Sequence, residues 1–500
     1  MTPQAAILIA LIAPLVGALG SLGFYRLRKT SIGIAIGAIA VSLAASICLV
    51  ALTAQSQAHA IHVGNWPAPF GIVLVADGFS ALMLSVCQLV TLGALVFCVF
   101  TLPPRYHRQH FLPLIQTLSF GTCGAFLTGD LFNLYVWFEV LLLSSFSLMS
   151  IMPSRESREG TWRYVVINLI SSLLFLVAAG LIYGHTGSLN FADLNLRLAG
   201  TDQPFLIDSA VAILLGAFAI KAALVPLAFW LPAAYPQLPP ALGALFAGLL
   251  TKVGLYAMYR VATMVFAYDG GFPHQEILLI VALATMIFGV LGAIGQSTMR
   301  GILSFHIISQ VGYMALALAL FSPLAIAAGI FYLVHHIVVK ANLFLVTAMV
   351  EDQTGSSDLA DTRGVLHGSP VVALLFAIPA LSLAGLPPLS GFFAKFALLR
   401  ASIDLHDFFS ATLIVVVGLL TFFSMLKIWR AIFWGEPNPA TMRPAQPTLI
   451  LTSGLMGLVT IALGLACGPF FNLAEQAAHG LLDPTAYLEA VLGTANPDVP

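Results

Sequence analysis

The sequence predicts an all-α membrane protein of about fourteen transmembrane helices, and three observations predict it. Of 500 residues, 59% are hydrophobic and only 8% charged, whereas a soluble domain carries roughly 25% charged residues to cover its surface. The apolar residues fall in runs of bilayer length. The basic residues gather in alternate loops. A net charge of −1 leaves no basic footprint for nucleic acid.

A span needs about 20 apolar residues. Along the chain the runs are 3–23, 31–54, 76–101, 109–128, 131–152, 162–184, 205–230, 240–266, 276–296, 301–321, 323–350, 369–400, 407–433 and 447–471. The first run is followed, not preceded, by Arg26, Arg28 and Lys29, so it reads as a retained helix and not as a secretory signal. The segment 61–75 is too short and proline-rich to span and reads as an interfacial stretch or a short hairpin. Cys48, Cys87, Cys98, Cys123 and Cys467 sit singly in apolar runs, without metal or disulfide spacing.

Loops after odd-numbered helices, with the end of helix 13, hold thirteen basic residues: Arg26, Arg28, Lys29, Arg105, Arg108, Arg155, Arg158, Arg163, Arg300, Arg363, Lys427, Arg430 and Arg443. Loops after even-numbered helices hold three, Arg197, Arg260 and Arg400. The positive-inside rule places the thirteen in the cytoplasm and both termini outside. A miscounted helix would scramble this asymmetry, so it supports an even number of spans.

Four of the twenty basic residues remain, Lys221, Lys252, Lys340 and Lys395, each within an apolar span, and Glu139 joins them. A charge at the bilayer centre costs about 2.5–3.5 kcal/mol even on the lenient insertion scale, and such residues face the bundle interior, pair, or line a wetted path. Glu139 has no charged neighbour within a helical turn, so its partner comes from another helix, with Lys221 the natural candidate. A carboxylate that grips a lysine and loosens on protonation is a switchable element. Lys340 follows His336 by four residues on one helical face, and His335 points about 100° away. His306 has Gln310 one turn on. Histidine titrates near neutrality, so His306, His336, His335 and Lys340 are candidate proton relays. No cysteine or carboxylate accompanies the histidines, which argues against a metal site. The bland alternative for each residue is a buried pair or a hydrogen-bonded packing group.

Pro226 and Pro232 follow Lys221, and Pro387 and Pro388 precede Lys395. Broken backbone at membrane depth is tolerated only inside protein or beside water. Each break falls in the fourth of five helices, 4–8 and 9–13, and five is odd. The pattern is that of two inverted five-helix repeats with broken helices 7 and 12. The expected organisation is 1–105 for helices 1–3, 106–270 for the first repeat, 271–435 for the second, and 436–500 for helix 14 and a tail.

The stretch KAALVPLAFWLPAAYPQLPPALGALFAGLLTKVGLYAMYR, the segment RGILSFHIISQVGYM and the run LAGLPPLSGFFAKF resemble the antiporter-like subunits of respiratory complex I and the Mrp-type Na⁺/H⁺ antiporters. GNWPAPFGIVLVADGFSALML, HIISQVGYM and a lysine at 395 look most like the D-type Mrp subunit. The resemblance covers nearly the whole chain. It implies fourteen helices, a Glu139–Lys221 pair in a first half-channel, and Lys252 passing protons to the centre. It further implies His306, His336 and Lys340 on a central axis, and Lys395 at the end of a second half-channel. It implies a bacterial inner-membrane complex with A-, B-, C-, E-, F- and G-type Mrp subunits, exchanging protons for a monovalent cation such as Na⁺. Where complex I relatives often carry a basic–acidic cluster before helix 10, this chain has GQSTMRG, a departure that favours the Mrp likeness. No flavin, quinone or iron–sulfur motif appears and no cofactor is expected. The alternatives are a pump module of a redox complex (complex I or a membrane-bound hydrogenase), a membrane partner of an inorganic-carbon uptake system, and a scaffold whose buried charges only pair.

Overall fold

The computed structural model describes residues 1–151, 154–199, 205–268, 270–436 and 443–493. The last residue of the expected span 131–152 and the end of the tail, 494–500, lie outside the described residues. Among the described residues, twelve helices are long and apolar enough to cross a membrane, and two shorter apolar helices accompany them. Numbering the fourteen in order, α1 is Pro3–Gly23, α2 Arg28–Leu52, α3 Gly78–Thr101, α4 Phe111–Leu127 and α5 Leu131–Ser150. Then come α6 Arg155–Thr186, α7 Phe205–Ala222, α8 Pro240–Arg260, α9 Gln275–Ile294 and α10 Met299–Ala319. Next are α11 Pro323–Thr354, α12 Pro370–Ala384 resuming at Ser390–Asp404, α13 Phe408–Ile428 and α14 Pro447–Leu465. The tail folds into α15 Cys467–Leu482 and α16 Thr485–Leu492. The chain is a multi-pass membrane protein.

Short polar residues start several of these helices, because a side-chain oxygen at the N-cap accepts one of the orphan N–H groups of the first turn. Asp77 and Ser80 form a reciprocal capping box on α3. Asp130 caps α5, Ser154 caps α6, and Ser322 caps α11 just ahead of Pro323. The proline-rich segment between α2 and α3 takes the hairpin option. Its strands β1 (His59–His62) and β2 (Val73–Ala76) pair antiparallel, with His59 opposite Ala76 and His62 opposite Val73.

The core lies at the middle of the bundle. Every residue of α8 from Pro240 to Arg260 is buried. So is α11 from Ala325 to Val350. α8 packs on α11, and α11 is flanked by α10, α12, α14, α15 and α3. α1 and α2 pack mainly on each other and on α3 and α4.

α7 and α12 are interrupted as the prolines require. α7 stops where Ala223 enters the left-handed region (φ 62°), and helix resumes at Trp230–Ala234. The freed backbone is satisfied locally: Trp230 Nε1 donates to Ile220 O at 3.0 Å and Val225 N donates to Thr285 Oγ1 at 3.0 Å. In α12 helix is absent from 385 to 389. Both α8 and α13 end in a five-residue π-helical turn, Val261–Val265 and Trp429–Phe433.

One placement differs from the sequence expectation. Arg260, assigned to an even-numbered loop, is the last residue of α8 and only 2% exposed. It is tolerated there because Asp77, at the start of α3, neutralises it in a bidentate contact.

Candidate functional site

The polar residues of the first half gather where α5, α6, α7 and α8 meet. Glu139 lies on α5, half-buried, and its Oε1 has no hydrogen-bond partner among the described residues. Lys221 is in the last turn of α7, just before the break. Its Nζ donates to Ser172 Oγ on α6 at 3.2 Å and lies 5.2 Å from the centre of the Phe138 ring. Glu139 lies close enough across α5 and α7 for its charge to act on Lys221, but the two form no ion pair within 4.0 Å. A cavity of about 20 Å³ opens beside Lys221, lined by Tyr164 and Asn168 of α6 and by Val253 and Gly254 of α8. That is room for one water. Gly254 is needed there, since a Cβ would stand 2.8 Å from Ala222 N at the break.

The sequence reading missed the α6 contribution. Tyr164, Asn168 and Ser172 recur every fourth residue, so they share a helical face. That polar stripe in an apolar helix was a readable signal. Tyr164 OH lies 2.6 Å from Ser145 Oγ on α5, which fixes the stripe against the helix bearing Glu139.

Lys252, His336 and Lys340 occupy the fully buried centre, each 0% exposed. Lys252 Nζ donates to Ala247 O at 2.5 Å. Lys340 Nζ and both ring nitrogens of His336 have no hydrogen-bond partner among the described residues. The charges of Lys252 and Lys340 both act on His336. His306 on α10 meets Ser424 Oγ of α13 through Nε2 at 2.9 Å, and its Nδ1 is unpartnered. Among the described residues, none of the four intramembrane lysines belongs to an ion pair.

Lys395 lies on the second half of α12 and folds back onto the first. Its Nζ donates to Leu383 O at 2.9 Å and Ala384 O at 3.0 Å, carbonyls that the end of a helix leaves without internal partners. The ring of Tyr313 lies 5.1 Å from the ammonium. His335, which the sequence points about 100° away from His336, approaches this end and not the centre: its Nδ1 lies 2.8 Å from Ser390 Oγ.

In chain order the candidate residues run from Glu139 on α5 through Lys221 on α7 and Lys252 on α8 to the α10–α11 histidines and on to Lys395 on α12. A family model described as "NADH:quinone oxidoreductase/Mrp antiporter, TM" matches residues 128–421, which hold all of these residues. The chain belongs to the NADH:quinone oxidoreductase/Mrp antiporter membrane family. Within it, the chain is similar to the D-type subunit of the Na(+)/H(+) antiporter of Alkalihalophilus pseudofirmus, at 44% identity over 90% of this chain and 92% of that one. A chain of the Mrp complex from Dietzia sp. DQ12-45-1b superposes with a TM-score of 0.92 at 36% identity, covering 99% of this chain and 100% of that one. A chain of the membrane-bound sulfane sulfur reductase, an archaeal respiratory membrane complex, gives 0.91 at 25% identity over 98% and 100%. The likeness to the D-type Mrp subunit expected from the sequence thus holds within this antiporter family.

A second buried constellation lay outside the sequence reading. Arg260 Nη2 donates to Asp77 Oδ1 at 2.9 Å and to Tyr256 OH at 2.8 Å. Tyr487 of α16 lies over the guanidinium at 5.5 Å. Burial pushes the Asp77 carboxyl up, but the Arg260 charge and its hydrogen bonds outweigh this and hold it below the usual range.

Proposed function

We propose that this chain is the proton-translocating subunit of a multisubunit monovalent cation (Na⁺)/proton antiporter, in which Glu139, Lys221, Lys252, His306, His336, Lys340 and Lys395 carry the protons. One observation carries the reading. Four lysines lie inside the bundle without ion-pair partners among the described residues, and the buried histidines His306, His335 and His336 each keep at least one ring nitrogen open. A structural role would be served by closed pairs, because an uncompensated buried charge is costly. Open nitrogens and amines suit groups that take up and release protons, with water or one another completing the hydrogen bonds.

The Glu139 charge steadies Lys221 from a distance, and protonating Glu139 releases it. Ser172 and the small cavity supply a hydroxyl and space for one water between Lys221 and α8. Lys252 and Lys340 act on each other, so charging one discourages charging the other and drives the proton onward. Buried carboxylates are too few among the described residues to bind sodium alone, so the cation is assigned to partner subunits of the A, B, C, E, F and G types. We read the face with thirteen basic residues as cytoplasmic in a bacterial inner membrane, with the termini outside. We read α4–α8 and α9–α13 as inverted repeats, a division supported by the break in the fourth helix and the π-helical end of the fifth in both sets.

The test is Na⁺/H⁺ exchange in everted vesicles with Glu139→Ala or Lys221→Ala. Loss of exchange in normally assembled complex is expected, and full exchange would sink the reading. A pump module of a redox complex is the second reading, favoured by the likeness to the sulfane sulfur reductase chain. Copurification with iron–sulfur or flavin subunits would select it.

A further inference from the structure

The two adjacent histidines of α11 are held differently. His336 has both ring nitrogens open, in the field of Lys252 and Lys340. His335 has one nitrogen engaged: Nδ1 meets Ser390 Oγ at 2.8 Å, while Nε2 is buried and unpartnered. Ser390 opens the second half of α12, and its Oγ lies 3.1 Å from Ser382 Oγ at the end of the first half. His335, Ser390 and Ser382 are all 0% exposed. The three groups therefore form an unbroken hydrogen-bonded string across the gap in α12. The string ends one residue before Leu383 and Ala384, whose carbonyls hold Lys395 Nζ.

The ring of His335 is locked in place. On one side its edge meets Tyr332, with centroids 5.6 Å apart and planes at 90°. Tyr332 stacks on Tyr313 at 5.4 Å, the same ring that faces Lys395. On the other side the imidazole presses on bare backbone. A Cβ at Gly391 would stand 3.0 Å from His335 Cε1 and 1.8 Å from Ser382 O. Nothing larger than glycine lets the two halves of α12 and this histidine meet.

We propose that His335, Ser390 and Ser382 are a proton relay across the break in α12, linking the centre of the bundle to Lys395. The inference rests on the proton-carrying reading above. A proton taken up at Nε2 makes the imidazolium. The Nδ1 proton then passes to Ser390 Oγ as that hydroxyl gives its own proton to Ser382 Oγ. Ser382 gives up its proton in turn, and the neutral amine of Lys395 accepts it. One proton enters at Nε2 and one arrives at Lys395. The ring ends neutral with its proton on Nε2, and rotation of the hydroxyls with return of the tautomer resets the string. Hydroxyls suit this because each donates and accepts at once.

The test uses the assembled complex in everted vesicles. Ser390→Ala is expected to slow exchange on the order of a hundredfold or more, the range of a lost proton-transfer group. Ser390→Thr keeps the hydroxyl and is expected to exchange near the wild-type rate. Ser382→Ala removes the second hydroxyl without touching the histidine and is expected to act like Ser390→Ala. The slowed variants are expected to show a larger H₂O/D₂O rate ratio than wild type. If both alanine variants assemble and exchange at full rate, or are slowed with an unchanged solvent isotope ratio, the hydroxyls only tie the helix halves together and the relay is overturned. Glu139→Ala and Lys395→Ala are run beside them. If these also exchange normally, the proton-carrying reading itself fails; if only the serine variants do, the relay alone fails.

Discussion

Replacing Arg260 by methionine is expected to produce the largest loss of stability of any single change at the α3–α8 contact. Arg260 is 2% exposed and Asp77 8%. The contact is bidentate, and Ser80 N–H is the carboxylate's remaining donor, at 2.9 Å. Arg260→Met keeps the apolar stem and removes the charge, leaving a carboxylate buried without its counter-ion. Breaking such a pair from one side costs about 3–5 kcal/mol. The double variant Asp77→Asn, Arg260→Met removes both charges, and asparagine caps a helix about as well as aspartate. It is expected to recover all but about 1–2 kcal/mol. Cys87, Cys98 and Cys123 are buried and unpaired, so thermal melting of the detergent-solubilised complex can be followed by a thiol-reactive fluorophore. The pH dependence has a definite sign. Asp77 is held low in the folded chain, so the pair's stabilisation is present above the unfolded carboxyl pKa of 3.8 and is lost as pH falls through the lower folded value. If the single and double variants melt together, or the single variant melts like wild type, the pair does not hold α3 to α8.

Gly391→Ala is expected to lower the melting temperature by the equivalent of about 1–3 kcal/mol, because the new methyl collides with Ser382 O; an unchanged melt would show that the halves of α12 can separate freely. Asp130, at the cap of α5, is pushed up to about 6 by burial. Its raised value means the ionised form is penalised in the folded state above about 6 and not below 3.8, so Asp130→Asn is expected to stabilise by up to about 3 kcal/mol at pH 7.5 and not at pH 3.5. Melting at the two pH values decides it. Lys395→Gln keeps a donor for the Leu383 and Ala384 carbonyls and loses the titrating amine; exchange is expected to fall while the melt is unchanged, and retained exchange would remove Lys395 from the proton path.

The fold was legible because lipid permits few alternatives. Apolar runs gave the spans, and the prolines clustered at 226, 232, 387 and 388 gave the two interruptions, whereas the isolated Pro14 and Pro379 stay inside continuous helix. The intramembrane lysines were legible for the same reason: charge in an apolar run is rare. What sequence hides is which distant group satisfies each one. Asp77 and Arg260 are 183 residues apart, and neither breaks a local pattern, so the arginine read as a loop residue. Lys395 finds backbone carbonyls, which every residue carries and no sequence can distinguish. His335 and His336 are adjacent letters, and only the packing of Tyr332 and Gly391 sends one toward Ser390. The Tyr164–Asn168–Ser172 stripe was the reverse case, a four-residue period that was present and unread.

The carbonyl cradle around Lys395 has an electrical consequence. Lys221 shares its neighbourhood with Glu139, so when both are ionised that region is near neutrality. Lys395, like Lys252 and Lys340, has no counter-ion among the described residues, so its protonated state carries a full positive charge into the bilayer. A transmembrane voltage exerts work on such a charge of roughly 2.3 kcal/mol per 100 mV across the whole field, and a proportionate share over a shorter displacement. On the proposed proton path, membrane potential would gain its hold at the lysines beyond Glu139, Lys395 among them, while the end near Glu139 would answer mainly to the proton concentration beside it.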